Sequence, residues 1–229
     1  MKILVVCYED MGGNIGGVRQ VIEISRHLQK LGHQVEIVAP AIRKYEGEFC
    51  GKIRYIPVLW GKFLQPLTYN LTALPVLLTA CRELQPDCLL IFEIFSSCAP
   101  MLAAKILSLP YAVFVNGDIE DFRLQKFPSI VIWFLERMRH INFIGCKRVF
   151  TVSPVLRDSL IKKYAFFPER ITVVSNGVDT DLFKPLDRNE ALRTLGRSPD
   201  YFYIGFVGGM WPWHGLEFLI KSAPAVLEK

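Results

Sequence analysis

The chain has 229 residues, of which 51% are hydrophobic and 21% charged, and its formal net charge is +5. That balance excludes a disordered tail, a fibre and a peptide that coats nucleic acid, and it leaves a globular chain able to bury a substantial core. The length falls between one and two ordinary domains.

The first apolar run, KILVV at 2–6, follows Met1 directly, without the apolar stretch and cleavage site of a secretory leader. Six scattered cysteines contain no C-x-x-C pair. Together these predict a protein of the reducing cytosol rather than a disulfide scaffold. Next, Val18, Val21, Ile22, Ile24, Ser25, Leu28 and Leu31 fall near helical spacing, and Gly32 supplies the stop. Further strand-like runs are VEIVA (35–39), IRYIPV (53–58), CLLIF (88–92), YAVFV (111–115), RVFTV (148–152) and ITVV (171–174). Several lack polar alternation, as expected of parallel strands with helices over both faces. The charge-free run 63–81 approaches membrane-spanning length, but Gln65, Thr68, Asn70, Thr72, Thr79 and two prolines predict a buried helix instead.

After Val174 comes the turn-rich SNGVDTDLFKP, then a short helical pattern at 190–195. The apolar run YFYIGFV (201–207) predicts a strand, and LEFLIKSAPAVLEK predicts a helix after a glycine loop. The alternation predicts an α/β chain with a Rossmann-like parallel sheet and helices on both faces over residues 1–184. Residues 185–229 read as the first βα unit of a second, truncated Rossmann-like domain.

Four stretches carry candidate chemistry. The loop 11–17, which ends in Gly16-Gly17, lies between the first strand and the first helix. Its glycines suit either a tight turn or an anion approaching the free N–H groups of the helix start. No G-x-G-x-x-G occurs and the second strand ends in Ala39-Pro40, so a nicotinamide enzyme is not expected; the phosphate loop G-x-x-x-x-G-K-[ST] is missing too. Asn116, Asp118 and Glu120 follow the strand YAVFV, at the end of a parallel strand where ligands bind. Asp118 or Glu120 could orient a hydroxyl or act as a base, whereas Asp121 fits a helix cap.

Residues 122–148 hold six basic side chains against the one acid Glu136, an excess equal to that of the whole chain, with Phe127, Ile130, Val131, Trp133, Phe134 and Met138 interleaved. Two readings stay open there: a basic aromatic surface for an anionic membrane or lipid phosphate, and a core-facing stripe backed by a solvated face. Nucleic acid is not expected as a partner, because the charge is modest and no binding motif accompanies it. Lastly, Gly208 and Gly209 open a second loop between a strand-like run and a helix, and His214 adds a possible donor. Two such loops suggest a diphosphate ligand.

The chain resembles the family 4 glycosyltransferases, which have the GT-B fold of two facing Rossmann-like domains. The resemblance rests on Gly16-Gly17 opening RQVIEISRHLQKLGHQVEIVAP, on TVSPVLRDSLIKKY (151–164), on VVSNGVDTDLFKP (173–185) and on FVGGMWPWHGLEFLI (206–220). It implies transfer of a sugar from a UDP- or GDP-linked donor to a glycan or lipid-linked acceptor, with retained configuration, no metal and no separate cofactor. It also implies a role in cell-envelope or exopolysaccharide synthesis, in the cytoplasm and peripheral to the inner face of the membrane. Carried onto this sequence, Gly16 and Gly17 would meet the donor diphosphate with Gly208, Gly209 and His214 opposite, and Asn176 would belong to the same donor-binding set.

The sequence departs from the family in three places. Gly209 and His214 stand where an arginine and a lysine are usual, and Asn116 stands where many members have a histidine. The two-glutamate donor motif has no counterpart after Leu216, so the chain is expected to be incomplete. The alternative expectation is a non-catalytic acceptor-binding or scaffold module that needs a partner for its donor site. A third is a sugar-nucleotide epimerase of the same shape.

Overall fold

Seven apolar runs pair into one parallel sheet in the order β3-β2-β1-β4-β5-β6-β7. The strands are β1 (Lys2–Val6), β2 (Gln34–Pro40), β3 (Ile53–Ile56), β4 (Cys88–Phe92), β5 (Tyr111–Val115), β6 (Arg148–Thr151) and β7 (Ile171–Val173). This computed structural model describes the chain except residues 14–15, 60, 62–63, 121–122, 124, 166–167, 211–213 and 228–229. It divides into two units, Met1–Ser175 and Asn176–Lys229, so the boundary expected at 184/185 falls inside the second unit.

Every strand expected before residue 175 is present. β3 stops at Ile56 rather than at Val58 because Pro57 has no N–H to give to a ladder. Successive side chains of β1 point to opposite faces, and both faces are apolar. Leu4 and Val6 pack with Tyr69 and Leu77 of α2 (Leu64–Leu84), whereas Ile3 and Val5 pack with Val18, Val21 and Ile22 of α1 (Gly16–Lys30). α1 ends as expected at Gly32, whose φ of +85° would strain any side chain.

α2 is half-buried. Tyr69, Ala73, Leu77, Ala80 and Leu84 face the core, while Leu64, Leu67 and Leu71 are exposed. Its threonine hydroxyls are satisfied inside the helix, with Thr68 donating to the Leu64 carbonyl, Thr72 to that of Thr68 and Thr79 to that of Pro75. Phe63, in the same apolar run, lies outside the described residues. Among the described residues no helix is long and apolar enough to cross a membrane.

Among the described residues the first unit also holds the helices α3 (Ala99–Ile106), α4 (Ser129–Phe143) and α5 (Pro154–Tyr164), with a short 3-10 turn at Pro168–Arg170. From β1 the strand order runs one way through β2 and β3 and the other way through β4 to β7. The reversal at the β1–β4 boundary opens a crevice at the carboxyl ends of those strands, which is where open sheets of this kind bind ligands.

The second unit holds α6 (Arg188–Thr194) and α7 (Leu216–Leu227). The Asp187 carboxylate caps α6 by accepting from the Glu190 N–H at 2.9 Å. Residues 201–207 correct the sequence reading, because the expected strand does not form. A parallel strand needs a neighbour for its N–H and C=O groups, and among the described residues the second unit offers no other strand. Phe202 and Val207 are accordingly exposed, at 89% and 100%.

Candidate active site

The loop after β1 leads into α1 at Gly16 and Gly17. A methyl group at Gly16 would meet no atom within 4 Å, so backbone and ligand can approach there. At Gly17 a methyl group would meet the Glu9 Oε1 atom, the far end of a flexible side chain. The Glu9 side chain beside the helix start would have to turn aside to admit that methyl group. Burial and the neighbouring Asp10 charge raise the Glu9 carboxyl above its ordinary range. Gly17→Ala should therefore cost less than about 1 kcal/mol, because only the end of the Glu9 side chain has to move. The combined Gly17→Ala and Glu9→Ala variant should regain most of that in urea denaturation, and a double variant no more stable than Gly17→Ala would place the strain elsewhere. Asn14 and Ile15 of the same loop lie outside the described residues.

Asn116 follows β5 and donates through Nδ2 to Gln20 Oε1 of α1 at 2.6 Å, which ties the loop after β5 to the first turns of that helix. The structure thus brings together Gly16, Gly17 and Asn116 at the carboxyl edge of the sheet. Asp118 and Glu120 share one cation, with Lys163 Nζ of α5 reaching Asp118 Oδ1 at 2.8 Å and Glu120 Oε1 at 2.9 Å. Ser159 Oγ donates to Asp118 Oδ2 at 2.6 Å, and Arg123 pairs with Glu120 at 3.3 Å. Asp121 lies outside the described residues.

Burial would raise the Asp118 carboxyl. The hydrogen bonds from Lys163 and Ser159, with the charges of Lys163 and Arg139, outweigh burial and hold it at about 2. A carboxylate this acidic is a weak proton acceptor near neutrality. Its chemistry suits fixing the loop and presenting a negative charge rather than removing a proton.

The buried centre of this network escaped the sequence reading. Arg139 of α4 is fully buried, and its Nη2 donates to the Gly117 carbonyl at 2.9 Å and to Glu93 Oε2 at 3.2 Å. Nε lies 2.5 Å from Glu93 Oε1, an ion pair without good hydrogen-bond direction, and Nη1 is 3.8 Å from Asp118 Oδ1. The guanidinium lies over the rings of Phe95, Phe143 and Tyr164 at 5.1–5.7 Å. Burial raises Glu93 to about 7 despite the opposing charge and hydrogen bond of Arg139, and the Asp118 charge adds to the rise. A signal was present: Ile132, Leu135, Arg139 and Phe143 share one helical face, so a basic residue sits on an apolar stripe. Glu93 directly follows β4, beside the strand-order reversal.

The basic segment at 122–148 is thus split. Arg139 is internal, whereas Ile130, Trp133 and Phe134 are exposed, and Arg137 stacks over the Trp133 ring at 5.6 Å. An open depression of about 390 Å³ next to them is lined by Arg123, Trp133, Arg137, His140, Lys163 and Tyr164, among others.

In the second unit, Gly208 has a φ of +151°, a conformation suited to glycine. His214 Nδ1 contacts the Gly209 carbonyl, so those three residues form one local group. Asn176 stands at the start of the same unit. Trp211, Pro212 and Trp213 lie outside the described residues.

Residues 15–182 match the sequence profile of Glycosyltransferase Family 4. A D-inositol 3-phosphate glycosyltransferase from Actinosynnema mirum is 38% identical over 82 residues, covering 36% of this chain and 20% of that one. A GDP-mannose-dependent alpha-mannosyltransferase from Corynebacterium glutamicum is 27% identical over 233 aligned positions, covering 96% and 54%. The match therefore spans less than two thirds of either relative. Among solved structures, HepE from Anabaena in complex with UDP and glucose has the same fold, with a TM-score of 0.67 at 15% identity over 97% of this chain and 57% of that one. The profile match runs from the start of α1 through the NGVD turn, over more than half of the sequence: the chain belongs to Glycosyltransferase Family 4.

Proposed function

We propose that the chain is the acceptor-side part of a glycosyltransferase that moves a sugar from a UDP- or GDP-linked donor to a glycan or lipid-linked acceptor with retention of configuration. The observation that carries this reading is the carboxyl edge of the sheet, where Gly16 and Gly17 at the α1 start lie across from the loop bearing Asn116 and Asp118. Family membership supports it, as do the donor and acceptor in the names of the two relatives. In the reaction the bond between the sugar C1 and the diphosphate oxygen breaks, and a bond from C1 to the acceptor oxygen forms. The acceptor hydroxyl proton goes to the leaving diphosphate, a better base than Asp118 at about 2. Gly16 and Gly17 approach the diphosphate through N–H groups at the helix start, and Asn116 and Glu120 offer hydrogen bonds to the sugars. Gly208, Gly209, His214 and Asn176 belong to the donor side.

The same reading puts the enzyme on the inner face of the membrane in envelope or exopolysaccharide synthesis. Ile130, Trp133 and Phe134 would meet the lipid surface while Arg137 meets its phosphates. The chain spans 54% of the length of the Corynebacterium glutamicum relative.

The test is transfer from UDP-glucose and GDP-mannose, with the product anomer assigned by NMR. It is run on this chain and on a version extended by a complete donor-side domain. The expected result is no turnover by the first and retained-configuration product from the second. An extended protein that still transfers no sugar would overturn the enzyme reading.

A further inference from the structure

We propose that Glu93 and Arg139 are positioning residues for sugar transfer, a buried pair that clamps the Gly117 carbonyl and so sets the turn 116–118 on which Asn116 and Asp118 are carried. The inference rests on the functional reading above and goes beyond it to two residues that touch neither substrate.

Three observations carry it. First, the pair is internal, with 0% of the Arg139 side chain and 6% of the Glu93 side chain exposed, so it is not a solvated surface contact. Second, Arg139 commits one nitrogen to the carbonyl of Gly117, the residue between Asn116 and Asp118, while Glu93 holds the guanidinium from the neighbouring strand end. Third, three aromatic rings fix the guanidinium plane. A side chain held on all these sides cannot follow the loop, so the loop must follow it. The geometry also leaves Arg139 neutralised, and an acidic acceptor group would have to compete with Glu93 for it.

The clamp depends on the charge of Glu93. The groups facing Glu93 are Arg139 from α4, Asp118 from the loop and Tyr164 from α5. When Glu93 is ionised, Arg139 is held between it and Gly117. When Glu93 is protonated, the guanidinium loses its carboxylate partner, and the nearest remaining anion is Asp118, 3.8 Å from Nη1. The clamp therefore tightens as pH rises through the Glu93 titration, which burial has moved up to about 7.

The experiment compares wild type, Glu93→Gln and Arg139→Lys in the extended enzyme by kinetics and by hydrogen exchange. Wild-type kcat is expected to rise between pH 5.5 and 8 by about tenfold, the scale of a well-placed positioning contact. Glu93→Gln should hold kcat at the acid-side level across that range, with the donor KM within about twofold of wild type. Arg139→Lys keeps the charge but not the fork, and should fall between the two. Amide exchange in 116–120 should speed up by about tenfold in Glu93→Gln while β4 stays protected, which separates a loosened loop from an unfolded domain. An active wild type whose pH profile and loop exchange survive Glu93→Gln would overturn the positioning role alone. A wild type that transfers no sugar at any pH would overturn the reaction itself, and the positioning role with it.

Discussion

Arg139→Ala is expected to destabilise the first unit by about 3–5 kcal/mol in urea denaturation at pH 8, the cost of removing one partner from a buried ion pair. Several effects act together. The Glu93 carboxylate loses its only close cation among the described residues, the Gly117 carbonyl loses a donor, and Phe95, Phe143 and Tyr164 lose the plane they pack against. The loss should shrink at pH 5, where Glu93 can take a proton and no longer needs a cation. Replacing both partners by apolar residues of similar size, Glu93→Leu with Arg139→Met, should regain much of the stability, since a filled apolar space can match a buried pair. A single-variant loss below about 1 kcal/mol would mean that water reaches the site and screens it.

Asp118→Asn is the second large effect, and its sign follows from linkage. The folded-state carboxyl sits at about 2 against an ordinary 3.8. Its contribution is therefore present above pH 3.8 and is lost as pH falls through 2. A tenfold change in proton affinity is worth about 1.4 kcal/mol, and water screens part of that at a carboxylate that is not fully buried, so the variant should lose about 1–2 kcal/mol at pH 7. The two denaturation curves should converge toward pH 2. Glu93 acts in the opposite direction, because its raised carboxyl stabilises the fold below the ordinary range near 4.5 and that contribution is lost as pH rises through about 7. Between pH 4.5 and 7 the wild type should accordingly lose part of its stability while Glu93→Gln stays flat over the same range. Parallel profiles for wild type, Asp118→Asn and Glu93→Gln would contradict the arrangement of charges around Arg139.

The parallel sheet was legible because its information is local. Runs such as CLLIF and YAVFV are apolar on both faces, and no solvated antiparallel strand reads that way. The helix start at Gly16 and the stop at Gly32 were equally plain. What the sequence hid depends on partners distant along the chain. Asp118 was legible as a site residue from its place after a strand, yet its acidity comes from Ser159 and Lys163, 41 and 45 positions away. Arg139 read as one more base in a basic segment, and only the fold of α4 against Glu93 turns it inward. The run 201–207 misled for the converse reason. Its composition is that of a strand, but a strand is defined by its neighbours, and β-branched and aromatic residues supply none on their own.

That same run governs how the protein behaves at the bench. YFYIGFV carries no charge and no proline, and its residues belong to no strand ladder, although the Tyr201 carbonyl accepts from Arg188 at 2.9 Å. Such a segment is a template for in-register stacking between molecules. Shelf life in concentrated solution will thus be set by the smaller unit rather than by the well-packed sheet, and turbidity will grow with protein concentration well below the temperature at which the sheet melts. A lysine in place of Tyr203 is the natural gatekeeper to install before crystallisation is attempted.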